Sequence, residues 1–138
     1  QSIKILESYL PPLTPIMPFV NIYNLAKSNQ NPIHARYCST FFCRFRGLMM
    51  SDQIPFDQGL LLVQKKDSKI DTAVHMFFMR YDIAVVWIDS HLKVVDTRLA
   101  QRWHSLYVPN TPAKYILEVH VGHLDHFSPG DMLKFEYD

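Results

Sequence analysis

The segment HVGHLDH, residues 120–126, concentrates side chains that ligate metals or exchange protons near neutral pH. Four such side chains lie within it: His120, His123, Asp125 and His126. A zinc site needs three or four ligands converging at about 2 Å from one ion, and helical spacings such as H-E-x-x-H aim pairs of ligands together. This segment has no such spacing, and Gly122 leads out of a predicted strand into a loop. The pattern therefore predicts a histidine-rich loop tip and no metal site.

Two ionisable side chains in apolar segments are candidates for acid–base chemistry or ligand binding. His75 is the only polar group of AVHMFFM, a predicted strand, and Glu118 lies in KYILEVHV. A histidine so placed is either a neutral core residue bonded to a backbone carbonyl or a pocket wall. Glu118 shares its predicted strand face with Lys114 and His120, which favours a solvent-side or rim position. The residues alone leave a pocket role open for both.

The segment CRFRGLMM, residues 43–50, sets two arginines into an apolar run. At about 100° per residue, a helix over about residues 39–49 gathers five apolar side chains within an arc of about 120°. These are Phe41, Phe42, Phe45, Leu48 and Met49. Arg44 and Arg46 lie about 40° beyond the two margins of the arc, which favours aliphatic stems on the core and guanidinium groups in water.

Nucleophilic catalysis and phosphate binding find little support in the sequence. There is no G-x-S-x-G motif, and the four glycines form no Gly-rich loop. Cys38 and Cys43 have no sequence neighbour that would strongly activate a thiol. If both lie on one helix they point about 140° apart, which forbids a bridge, so we predict free thiols. Whether the protein is an enzyme stays undecided.

The elements that must position these side chains are mainly strands. Residues 20–38 predict a hairpin, and six apolar segments predict further strands: GLLLV, AVHMFFM, IAVVWID, LKVVDTRL, KYILEVHV and MLKFEY. Ser39 or Thr40 caps the predicted helix, and Gly47 ends it. The sequence SPGD at residues 128–131 fits a type II turn. We predict a mainly β (α+β) fold, a compact β-sandwich or barrel-like domain of antiparallel strands with one main helix.

Length and composition suit one domain with a sizeable core, since the chain has 138 residues and is 48% hydrophobic. Residues 1–19 hold four of the nine prolines and predict a Pro-rich N-terminal arm, followed by a single mainly β domain over residues 20–138. A net charge of +1 disfavours nucleic acid as a partner. No apolar run reaches the roughly 18 residues of a membrane span. Because the sequence begins at Gln1 and not at methionine, an upstream leader or anchor stays open, and no compartment is assigned.

Several motifs occur in an order that is improbable by chance. They are RFRGLM, then GLLL, then His75 and Met76 before an apolar stretch, then AKYILEVHVG and a closing PGD. From about Asn21 to the C-terminus, this order resembles the uncharacterised family called domain of unknown function 192. The resemblance implies a compact, mostly β fold with the RGLM helix packed on it, and it implies no activity.

The resemblance also bears on Arg46, which directly precedes GLM. It implies that the planar guanidinium of Arg46 is hydrogen-bonded, to a carboxylate such as Glu118 or Asp131 or to backbone carbonyls. Two departures from the family pattern stand beside this implication. The acidic side chain expected at position 84 is replaced by Ala84, with Asp82 two residues earlier on the same strand face, and the usual glycine of the next hairpin falls at Leu92.

The favoured interpretation is a non-catalytic module that binds a small molecule or peptide in an apolar groove. Arg46, His75 and Glu118 rim this groove, and Asp131 is a further candidate ligand-binding residue. The alternatives are a small hydrolase-like enzyme with Glu118 or His75 as general base, and a purely structural domain. No cofactor is predicted, and the identity of the ligand or partner is unknown.

Overall fold

The fold is described by a computed structural model, which describes residues 18–40, 43–44, 47–48 and 52–138. Seven strands form in the described residues: β1 (Phe19–Asn24), β2 (Ile33–Cys38), β3 (Gln58–Ser68), β4 (Ile83–Ile88), β5 (Val94–Ala100), β6 (Ala113–His120) and β7 (Leu133–Tyr137). A short 3-10 helix spans Val121–His126. The mainly β fold class is confirmed. No helix in this part of the chain is long and apolar enough to cross a membrane.

The seven strands form one sheet in the order β5-β4-β6-β3-β2-β1-β7. All neighbouring pairs are antiparallel except β2 and β3, which are parallel, so the prediction of antiparallel strands holds for every pair but one. The two end strands approach each other where Lys93 and Met132 form an isolated bridge and Leu133 N donates to the carbonyl of Leu92 at 2.8 Å. The sheet therefore curls on itself in a barrel-like manner.

Alternation along the strands divides the core between the two faces of the sheet. The inner face gathers buried residues from all seven strands, including Val20, Leu61, Val86, Leu117 and Leu133. The outer face carries a second apolar cluster that includes Leu60, Leu62, Val85, Trp87 and Ile116. Connecting segments cover this outer cluster through side chains such as Leu48, Ile54, Val74, Met76 and Met79. The candidate site lies between these segments and the outer face.

The segment AVHMFFM is not a strand, and that prediction was wrong. Val74 makes only an isolated bridge with Tyr107, and the chain turns at Phe77 and Phe78. Met76 N donates to the carbonyl of His104, so backbone partners come from a distant loop instead of a neighbouring strand. Apolar composition favoured a strand here, but tertiary contacts decided otherwise.

The two cysteines form a disulfide, so the prediction of free thiols was wrong. Cys38 ends β2 and Cys43 lies in a helical turn, and the helix-wheel argument fails because the two residues belong to different elements. Their Cα atoms are 5.8 Å apart, within the normal span of a bridge.

The described part of the predicted helix agrees with its expected ends. Thr40 Oγ1 accepts a hydrogen bond from Cys43 N at 3.2 Å, as an N-cap side chain does. Gly47 N donates to the carbonyl of Cys43 at 2.9 Å, and Gly47 has φ +52°, as expected for a glycine that ends a helix. The remainder of the predicted helix, including Arg46, lies outside the described residues.

The predicted turns are also present. Strands β1 and β2 form the expected hairpin. At residues 128–131, Gly130 has φ +98° and Asp131 N donates to the carbonyl of Ser128 at 3.0 Å, as in a type II turn. Leu92, where the resemblance implies a glycine, adopts φ +63°. Residues 1–17 of the predicted arm lie outside the described residues, and Phe19 begins β1.

Candidate functional site

A cavity of about 290 Å³ lies on the outer face of the sheet. Its sheet side is formed by β3 and β6, and its other described walls by Arg44, Gly47 and Leu48 and by residues 71–79. Its lining comprises six described apolar side chains larger than alanine and five polar or charged ones. The apolar ones are Leu48, Leu62, Val74, Phe77, Met79 and Ile116; the others are Arg44, Gln64, Asp71, His75 and Glu118.

Glu118 lies on β6, an interior strand of the sheet. It lies opposite Leu60 on β3 and Val85 on β4, both apolar, and only 5% of its surface is exposed. The solvent-side interpretation of Glu118 was therefore wrong, because connecting segments cover this face of β6. Burial raises the pKa of the Glu118 carboxyl to about 7. Among the described residues, none hydrogen-bonds its Oε1 atom.

Gly47 lies against this carboxyl. A β-carbon built on Gly47 would stand 3.4 Å from Glu118 Oε1, and Gly47 itself lines the cavity. Its positive φ of +52° disfavours any larger residue. The same glycine therefore ends the helical turn and leaves space beside the buried carboxyl.

His75 lines the same cavity as Glu118. Its side chain is half-buried, and its ring stacks on that of Phe77 with centroids 6.0 Å apart. Of the two alternatives left open by the sequence, the structure places His75 in a pocket wall, on a connecting segment and not in a core strand.

Arg44 is hydrogen-bonded, so its interpretation as a solvated helix-margin side chain was wrong. Its Nη1 atom donates to the carbonyl of Ser39 and, at 3.2 Å, to the carbonyl of Val63 on β3. These bonds tie the helical turn to the sheet and hold a positive charge at the cavity wall.

Asp131 lies away from this cavity, in the turn before β7. Its Oδ2 atom accepts hydrogen bonds from Asn24 Nδ2 at 2.8 Å and Ser128 N at 2.9 Å, and Lys27 Nζ lies 3.4 Å away. Burial by itself would raise the pKa of the Asp131 carboxyl, but these bonds and the charge of Lys27 hold it below its usual value. The structure thus brings together Glu118 and His75 but not Asp131, and it does not describe Arg46.

The missing family carboxylate does not belong to this cavity either. Ala84 packs in the inner cluster, on the face of β4 opposite to Val85 and Glu118. Asp82 does not replace it, since its Oδ1 atom accepts a hydrogen bond from Arg102 N at 2.8 Å and Asp82 is not part of the lining.

The histidine-rich segment lines a second cavity of about 250 Å³. Buried His123 contacts His126 through their Nδ1 atoms at 2.8 Å and contacts the Phe56 carbonyl through Nε2. Burial lowers the pKa of His123, and the neighbouring His126 and His120 lower it further. Within the described part of the chain, no three His, Cys, Asp or Glu residues are grouped to hold a metal. The absence of a metal site stays a prediction for experiment.

Sequence reasoning missed three polar contributors to the first cavity. Gln64 and Asp71 are joined because Gln64 Nε2 donates to the backbone carbonyl of Asp71 at 2.9 Å. Arg44 was noticed but placed in solvent. Only Gly47, a rare glycine beside two arginines, carried a signal in the sequence that a close approach occurs there.

Comparison with known proteins agrees with the family resemblance. The DUF192 family, described as "Uncharacterized ACR", matches residues 24–135. A UPF0127 protein from Thermococcus gammatolerans is 39% identical over 89 residues, which cover 64% of this chain and 56% of that protein. A UPF0127 protein from Pyrococcus furiosus is 34% identical over 114 residues, covering 81% of this chain and 95% of that protein. The chain thus spans little more than half of the first relative's length.

Two solved structures share the fold. One, from Sinorhizobium meliloti and provisionally described as a transcription regulator, has a TM-score of 0.76 and 18% identity, covering 91% of this chain and 98% of that one. The other, a protein of unknown function from Novosphingobium aromaticivorans, has a TM-score of 0.72 and 14% identity, covering 93% of this chain and 94% of that one. At this level of identity, the likeness concerns the fold alone.

Proposed function

The chain belongs to the DUF192 family of uncharacterised proteins, and we propose that it is a non-catalytic module that binds a small molecule in the cavity over Glu118. Its volume of about 290 Å³ is at the lower end of the range for small-molecule pockets, roughly 300–1,000 Å³. A largely apolar lining with a few polar groups is also typical of such pockets. A small molecule is favoured over a peptide, which needs a sheet edge or an extended groove.

The observation that carries this proposal is the buried Glu118 carboxyl. Burying a carboxyl in apolar surroundings without a hydrogen bond costs several kcal/mol when it is ionised. No described residue bonds its Oε1 atom, and Glu118 is one of the residues that line the cavity. A bound molecule that supplies the missing partner offsets this cost. The proposed rim consists of His75 and Arg44, and of Arg46 on the family resemblance alone.

A fragment screen by two-dimensional NMR on the full chain tests this proposal. Binding at the cavity is expected to shift the amide signals of lining residues such as Gly47, His75 and Ile116. Signals of the turn at residues 128–131 should stay in place and serve as an internal control. A diverse library of small fragments that leaves all cavity signals unchanged contradicts the proposal.

A hydrolase-like activity is the second candidate, and the pKa of Glu118 favours it. A carboxyl with a pKa of about 7 suits a general base near neutral pH. The described lining contains no serine, threonine, cysteine or tyrosine, so the proposed activity has Glu118 activate a water molecule as the nucleophile. Hydrolysis of p-nitrophenyl acetate by the protein, lost in Glu118→Gln, supports an enzyme. Equal rates for both proteins contradict it.

A further inference from the structure

We infer that the ligand of this cavity is a small monovalent cation, an ammonium group on a short apolar body, held by Glu118. The inference rests on the proposed function and deepens it, because it specifies the chemical class of the ligand. It follows from the partners that Glu118 lacks, from the charges that line the cavity and from the wall beside it.

The first argument is the hydrogen-bonding chemistry of Glu118. An ionised carboxylate accepts hydrogen bonds only, so it needs donors. Its cross-strand neighbours Leu60 and Val85 supply no side-chain donor, and Oε1 has no partner in the described part of the chain. An ammonium group supplies up to three N–H donors and a compensating charge, and charge-assisted bonds of this kind are the stronger ones.

The second argument is the balance of fixed charges. The described lining contains one guanidinium, that of Arg44, and two carboxyl groups, those of Asp71 and Glu118. Arg44 Nη1 donates to the carbonyls of Ser39 and Val63 and not to Glu118, so these bonds hold the guanidinium at the cavity wall. With both carboxyl groups ionised, the described part of the lining carries one negative charge more than Arg44 balances, and a single cation neutralises it. An anionic ligand would place like charges together in a site of low dielectric, which is costly.

The third argument is the shape and chemistry of the wall. Phe77 lines the cavity and stacks on His75, so the lining that contains Glu118 also contains an aromatic ring. Aromatic faces attract cations, and the apolar side chains beside them accommodate a short hydrocarbon body. Leu62 and Ile116 extend this apolar surface on the sheet side.

Three probes of similar length separate the ligand classes on the full chain: n-butylammonium, butanamide and n-butyrate. We expect butylammonium to bind at the cavity, by NMR titration at pH 8, at least about tenfold more tightly than the other two. Glu118→Gln should weaken butylammonium binding by at least about tenfold, in line with the loss of a buried charge pair. Glu136→Gln, the same chemical change at an exposed position on β7, is the matched control and should leave binding unchanged.

The wild-type protein provides a test that needs no variant. Because ionised Glu118 is the binding form, affinity for butylammonium should fall about tenfold from pH 8 to pH 6 as the carboxyl takes up a proton. Two results would overturn the proposed ligand class but not the proposed binding function. One is that butyrate or butanamide binds at the cavity as tightly as butylammonium. The other is that the affinity for butylammonium does not depend on pH. A cavity that neither these probes nor the fragment library perturbs overturns both.

Discussion

Gly47 lies next to Glu118 in the lining of the candidate cavity: a β-carbon on Gly47 would stand 3.4 Å from Glu118 Oε1. The two residues come from different elements, since Gly47 ends the helical turn and Glu118 lies on β6. Their contact joins the family-like RGLM and YILE motifs in one place. It also means that a change at either residue alters the environment of the same buried carboxyl.

The substitution Gly47→Ala tests this contact. We expect a loss of about 1 kcal/mol in unfolding free energy, because φ +52° is unfavourable for a residue with a β-carbon. The added methyl group should also make the surroundings of the carboxyl more apolar and raise the pKa of Glu118 further. Urea unfolding and an NMR titration of Glu118 measure the two effects.

Gly130→Ala is the matched control for Gly47→Ala. Gly130 also has a positive φ, +98°, but a β-carbon there would meet nothing within 4 Å. It should lose stability by backbone strain and leave the pKa of Glu118 unchanged. Equal effects of both substitutions on that pKa would refute the proposed contact.

Glu118 is expected to make the free energy of unfolding depend on pH. Its folded pKa is raised from 4.5 to about 7, so between these values the folded protein binds more protons than the unfolded chain. The favourable contribution is complete below pH 4.5 and is lost as the pH rises through 7, a loss of about 3 kcal/mol. Glu118→Gln removes this dependence, so the variant should gain on the wild type as the pH rises from 5 to 8.

The quantity to compare is the difference in unfolding free energy between variant and wild type at each pH. His123 acts in the opposite direction, since burial lowers its pKa and the stability it contributes is lost as the pH falls. It is present in both proteins and cancels in the difference. Urea unfolding at pH 5, 6, 7 and 8 measures it, and a difference that does not vary with pH is incompatible with a buried, proton-binding Glu118.

The disulfide between Cys38 and Cys43 is expected to stabilise the fold. Its sequence separation is only 5, and a loop this short corresponds to about 2 kcal/mol in the chain-entropy treatment. Reduction should lower the melting temperature, and the double variant Cys38→Ser with Cys43→Ser should show the same melting temperature with and without reductant. Two titratable thiols in the oxidised, denatured protein would show that the bridge does not form.

Arg44 is expected to resist conservative replacement. Lysine keeps the charge but not the planar fork, so Arg44→Lys should weaken the bonds to the carbonyls of Ser39 and Val63 at a cost of about 1 to 3 kcal/mol. Arg80→Lys is a matched control, because Arg80 is exposed and only pairs with exposed Asp52 at 3.8 Å, and it should cost under about 0.5 kcal/mol. Equal costs at both positions would show that the hydrogen bonds of Arg44 do not contribute to stability.

Arg46→Lys was expected, on the family resemblance, to cost roughly 1 to 3 kcal/mol through the loss of charged hydrogen bonds. That expectation stays a prediction. Replacement by lysine is thus expected to be costly at both Arg44 and Arg46. Measuring both substitutions against Arg80→Lys by urea unfolding separates the three arginines.

Local pattern predicted the elements whose partners are near or whose chemistry is specific. The hairpin of β1 and β2, the cap at Thr40 and the turn at Gly130 each follow from residue types that few other conformations accept. Strand β6 was also predicted, but the burial of its Glu118-bearing face was not. The solvent side of β6 is covered by residues 71–79, which are distant in sequence.

The errors share this physical cause. Met76 finds its backbone partner in His104, 28 residues away, so the apolar run around it does not become a strand. Free thiols were predicted from a helix spacing that holds only if both cysteines lie on one helix, whereas β2 includes Cys38. Neither long-range contacts nor the boundary between two apolar elements is encoded in a local period. The cavity, which those contacts create, was accordingly predicted only through its residue types.

The most direct experiment is a carbon-detected NMR titration of the Glu118 carboxyl in the full chain, without and with saturating n-butylammonium. A midpoint near pH 7 is expected for the protein alone, because burial raises the pKa of Glu118 to about 7. With the cation bound, the midpoint should move to lower pH, because the ligand charge stabilises the carboxylate. A midpoint near 4.5 that butylammonium leaves unchanged would contradict a buried, ligand-binding carboxyl at this position.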